Sequence, residues 1–89
     1  MLLISYDLNR DERPASYEAV RQMIERHATA WSKPLYSQWF VETSDSPDTW
    51  DARMKTVTDE NDRWFICEVT RNRQGWLAKT VWEWLNARV

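Results

Sequence analysis

Glycine is nearly missing from this chain: Gly75 is the only one in 89 residues. A phosphate-cradling loop of the Walker type needs several, so that class of nucleotide binding is excluded. Cysteine is as scarce. Cys67 stands alone, so no disulfide can close within the chain, and its place in an apolar run reads as a buried thiol. Such usage points to a reducing, cytoplasmic setting. His27 is the single histidine. No Ser/His/Asp arrangement and no cluster with zinc-ligand spacing can be drawn. No apolar run approaches the ~20 residues of a membrane span. The short run Leu2-Leu3-Ile4 has no basic stretch before it, unlike a signal peptide. Net charge is −2, which argues against a protein that grips nucleic acid by bulk electrostatics but leaves room for a local basic patch.

What the chain has in plenty is aromatic surface, with seven tryptophans, three tyrosines and two phenylalanines. A chain of this length builds one domain, 1–89, and buries only roughly 60–65% of its unfolded surface. Rings that bury ~150–250 Å² each supply the missing apolar area. Some are surplus to a monomer's core, which is a first hint of a homodimer. Trp31 and Trp82 are the expected interface rings. Tryptophans can also stack nucleic-acid bases, though core and interface packing is the commoner use.

Periodicity places the elements. Residues 2–8 read as a strand and 9–15 as a charged turn. Ser16 is a candidate N-cap for a helix whose apolar stripe is Tyr17, Val20, Ile24 and His27. Two strands follow, about 30–36 and 38–43. Pro34 has no N–H for a ladder, so the first should be an edge or bulged strand. Ser46 and Pro47 form a helix start, with Asp48 in the first turn and Trp50, Met54 and Val57 as the stripe. A strand over 63–71 has Phe65, Cys67 and Val69 on one side and Trp64, Ile66 and Glu68 on the other. After a loop at 72–75, residues 76–89 read as a helix with Trp76, Leu77, Thr80, Val81, Trp84 and Leu85 on one face and Trp82 pointing away. The order is the split β-α-β pattern of an α+β, ferredoxin-like fold: a four-stranded antiparallel sheet, two helices on one face, and an extra C-terminal helix.

The sharpest chemical signal is Asp7. It sits near the end of an otherwise apolar strand, on the side of Leu3 and Ser5 and opposite Ile4 and Tyr6. A strand rarely keeps an acid without a partner, a metal or a job. Asp7 caps the next turn or pairs with Arg10 or Arg13, or it holds a divalent cation. One carboxylate makes a poor magnesium site, whereas two from symmetry mates make a credible one. Arg10 and Arg13, Arg71 and Arg73, and Arg21 and Arg26 are solvated surface charge or, where loop pairs converge, phosphate ligands. His27 ends a helix, where a cation suits the dipole. It is also the chain's one candidate acid–base imidazole.

The opening strand, Leu3-Ile4-Ser5-Tyr6-Asp7-Leu8, has an apolar-Tyr-Asp-apolar pattern. With Ser37-Gln38-Trp39-Phe40-Val41-Glu42-Thr43 and Asp62-Arg63-Trp64-Phe65-Ile66-Cys67-Glu68-Val69-Thr70, it resembles the small CRISPR-associated adaptation proteins (the second Cas protein), the VapD toxins and, most of all, the SinR-like proteins. The likeness covers most of the chain. It implies a homodimer whose open sheet faces stack, with Asp7 binding magnesium across the two-fold axis. It also implies metal-dependent endonuclease activity, on RNA more than on DNA, or a structural bridging role on DNA. Arg10 and Arg13 depart from the usual basic pattern. The helical C-terminal part departs from the added strand common in the CRISPR proteins. The expectation is therefore a magnesium-dependent endonuclease-like homodimer with Asp7 as metal ligand and catalytic residue, and Arg10, Arg13 and Ser5 as phosphate or water positioners. A non-catalytic bridging dimer that binds protein or nucleic acid is the alternative, and a toxin–antitoxin component a further one.

Overall fold

The computed structural model describes residues 1–8 and 14–89. Its elements run β1 (Leu2–Asp7), α1 (Pro14–His27), β2 (Ala30–Leu35), β3 (Gln38–Glu42), α2 (Pro47–Val57), β4 (Arg63–Glu68) and α3 (Lys79–Asn86). The four strands form one antiparallel sheet in the order β2-β3-β1-β4, the ferredoxin-like arrangement. β1 is central. It pairs with β3 from Leu2↔Val41 to Ser5↔Gln38 and with β4 from Leu2↔Glu68 to Asp7↔Arg63.

Alternation along β1 decides what each face does. Leu2, Ile4 and Tyr6 are buried, while Leu3 and Ser5 are half-buried and Asp7 is exposed. The first set joins Val20, Met23 and Ile24 of α1, Trp39 and Val41 of β3, and Trp50 and Met54 of α2 in the main core. Burying these apolar side chains, at ~1.5–3 kcal/mol for each large one, is what holds α1 and α2 on this face. Trp39 donates its indole N–H to the Tyr6 hydroxyl at 2.9 Å, so two buried polar atoms satisfy each other. A chain of rings runs outward from there, Tyr6 to Tyr17 at 6.1 Å and Tyr17 to Tyr36 at 5.5 Å between centroids.

Local chemistry explains the ends. β2 lies at the sheet edge, and its register with β3 shifts between Ser32 and Leu35, around Pro34. The proline thus sits where a missing donor costs least. Ser46 caps α2 by accepting from the Thr49 N–H at 3.3 Å, with Pro47 opening the helix. α1 begins at Pro14, which places Ser16 inside the first turn and not at the cap; a proline ring is preset for the first helical position. β4 is shorter than the pattern suggested. Its pairing with β1 runs out at the Val69 N–H, which donates to the Met1 carbonyl.

α3 lies against the other sheet face. Leu85 is buried but stands apart from the main core, and with Trp82 it faces Leu3, Phe40 and Cys67 across a cavity of about 440 Å³. The helix starts at Lys79, three residues later than the apolar pattern alone implied. Trp76 therefore precedes it, and its ring is 98% exposed. Trp82 does not point away. It is half-buried toward the sheet, while the Arg88 guanidinium covers the Trp84 ring at 4.1 Å. Cys67 is half-buried on this second face, outside the main core. No described helix is long and apolar enough to cross a membrane.

Candidate functional site on the open sheet face

α3 covers only part of the second face. The uncovered part holds Asp7, Ser5 and Phe65, while Leu35, toward the other edge, lines the cavity beside α3 and still stays half exposed. Phe65 and Leu35 are 66% and 51% exposed. Both lie on this sheet face by register, Phe65 opposite Ser5 and Leu35 opposite Gln38. β1 places Asp7 here because an even spacing from Leu3 and Ser5 keeps all three on one side of the pleat. The Ser5 hydroxyl is held by the Gln38 side-chain amide at 3.3 Å, which leaves its own proton free to donate.

Asp7 is exposed, and among the described residues it has no ion-pair partner. Its cross-strand neighbour is Arg63. Directly opposed residues on an antiparallel pair have Cβ atoms about 4.5–5.5 Å apart, so the guanidinium can reach the carboxylate without being locked to it. Arg10 and Arg13, the expected phosphate ligands, lie outside the described residues.

Several other candidates are occupied elsewhere. Arg21 pairs with Glu18 and Glu25 along α1, and Glu18 is held below its ordinary range chiefly by that hydrogen bond. Arg73 donates to the Thr70 carbonyl, the Asn86 side chain and the Val89 carbonyl. It therefore latches the segment after β4 to the end of α3. His27 sets its ring edge-on to Trp50 at 6.4 Å, on the helical layer and away from Asp7. Arg26 is exposed beside it on the same helix. Trp31 is 40% exposed and packs edge-to-face on Trp39 at 5.0 Å, so it serves the main core's rim more than the open face. Arg63 and Phe65 were not singled out by sequence. Their alternation with Trp64 and Ile66 carried the signal, but only the register shows that they flank Asp7.

The donor set tests whether magnesium fits. Among the described residues no group of three His, Cys, Asp or Glu side chains could hold a metal ion. One chain offers a single carboxylate at this place. Hydrated magnesium is bound through one or two carboxylates and keeps several waters, so the site fits the ion when two copies each bring an Asp7. No family model matches the chain, and no curated protein is significantly similar to it.

Proposed function

We propose that the chain works as a homodimer stacked through its open sheet faces, and that the dimer is a magnesium-dependent endonuclease of the kind the CRISPR adaptation and VapD-like proteins represent, acting on RNA more than on DNA. The observation that carries this reading is the placement of Asp7, exposed and with no ion pair among the described residues, on the same sheet face as the exposed Phe65 and Leu35. A face whose apolar side chains stand in water gains by meeting a copy of itself, and a two-fold contact brings the same residue from both sides. Asp7 from each chain would hold the ion. Bound magnesium supplies a water of lowered pKa and a positive charge beside the phosphodiester. Arg63 is placed to attract the phosphate, as a guanidinium with several donors, and Ser5 can donate to a phosphate oxygen or a water. Arg10 and Arg13 follow Asp7 in sequence as further phosphate ligands.

A second reading is favoured by Arg63 itself. Its position opposite Asp7 in the ladder suits a plain cross-strand ion pair, in which case the dimer is a non-catalytic module that bridges a protein or nucleic-acid partner, or one half of a toxin–antitoxin pair. Cleavage assays on labelled RNA and DNA, with and without magnesium, separate the two. The nuclease reading expects magnesium-dependent cleavage of RNA that Asp7→Ala abolishes while sedimentation shows the dimer intact. No cleavage by the parent protein leaves the bridging reading, and cleavage that persists in Asp7→Ala overturns Asp7 as the metal site.

A further inference from the structure

The segment 71–77 and α3, along with Val89 beyond its end, line a second groove, open to solvent and about 1000 Å³ in volume. Trp76 forms its lip. An indole 98% exposed keeps in water a ring that would bury ~150–250 Å² in any partner. Trp82 lies across the groove, half-buried, with Gly75 beside its ring. The chain carries 14 acidic against 12 basic residues. Yet no aspartate or glutamate side chain lines this groove, whereas Arg71, Arg73 and Lys79 do. Arg73 is consumed as the latch described above. Arg71 is exposed and, among the described residues, has no ion pair. Lys79 is 90% exposed, with only a loose 3.8 Å contact to Glu83. One cation without an ion pair among the described residues, Arg71, and one loosely paired, Lys79, thus stand with an exposed aromatic face. An acidic or apolar peptide would use one of these features and waste the other.

We propose that this groove binds single-stranded nucleic acid, with a base stacked on Trp76 and flanking phosphates at Arg71 and Lys79. Stacking on an indole is tolerant of sequence because every base has a π-face, and the cations hold the backbone on either side. The site needs no metal and none of the residues around Asp7, so it stands or falls separately from the magnesium-dependent reading.

Fluorescence anisotropy of a labelled oligouridylate, titrated with the full chain in EDTA, tests it. Saturable binding is expected, weakened roughly tenfold by Trp76→Ala and largely kept by Trp76→Phe. Affinity should fall with salt at a log–log slope of about −1.4, the value for two phosphate contacts on a single strand, and Arg71→Glu with Lys79→Glu should flatten that slope. Because all three side chains are exposed, circular dichroism of each variant should match the parent. No binding by the parent protein overturns the proposal. So does Trp76→Ala binding as tightly as the parent, or a loss of binding that merely follows loss of the dimer in sedimentation velocity. EDTA silences magnesium-dependent cleavage, so failure here and failure at Asp7 are told apart.

Discussion

Tyr6 shows how much a single side chain on the buried side of β1 carries. Burial pushes its phenol above the ordinary range, partly opposed by the Trp39 N–H that donates to it. The neutral phenol is therefore the folded form. Its stabilising effect is complete below the unfolded chain's value of about 10 and is lost as pH rises through the higher folded value, because the unfolded chain ionises first. Urea melts between about pH 9 and 11 should show this alkaline loss, and Tyr6→Phe should lack it. The same substitution leaves a buried indole N–H without its acceptor, at about 1–3 kcal/mol, read at neutral pH from the melt midpoint. Alternation alone puts Tyr6 inside and Asp7 outside, so this much was legible in sequence. What Arg73 does was not. Its three acceptors come from Thr70, Asn86 and Val89, and two of these meet it only once α3 has docked.

Among the elements, α2 and α3 differ in what secures them. α2 has a serine cap, a buried Trp50 and a tie to β4, in which the Trp64 indole donates to Asp51 at 2.7 Å. That bond, helped by Lys55, holds the Asp51 carboxyl below its ordinary range. Its contribution is present above the unfolded value and is lost as pH falls through the lower folded one. Asp51→Asn should keep an acceptor for Trp64 yet flatten the acid limb of the stability profile. Asp51→Ala should lower the thermal midpoint as well, and thermal melts from about pH 3 to 7 compare them. Ser46→Ala should cost about 1 kcal/mol by the same melts. α3 has no side-chain cap and depends on Leu85, which is 1% exposed. Leu85→Ala should cost about 2–5 kcal/mol and free the C-terminal segment to early proteolysis. The order of elements along the chain and the first two helices followed from apolar periodicity, because their stripes meet the sheet directly. The start of α3 did not follow, because Trp76 and Leu77 continue the helical spacing with no stop signal. Only the docked structure shows that Trp76 lies outside the helix.

The molecule as a whole has one sheet face closed by α1 and α2 and another only partly covered by α3. The proposed dimer uses the uncovered remainder. Phe65→Asp should leave the circular dichroism unchanged, since the ring is 66% exposed, and should convert a dimer to monomers in sedimentation velocity. The sequence pointed to this face through Asp7 and a surplus of aromatic rings. It could not say which rings stay outside, because that depends on where α3 settles. In the proposed dimer, Asp7 becomes a metal site only by meeting its own copy. Isothermal titration of magnesium into the parent protein and into Asp7→Ala tests it most directly. One ion for every two chains is expected, lost in Asp7→Ala while the dimer persists. One ion per chain, or magnesium binding unchanged by the substitution, would contradict it.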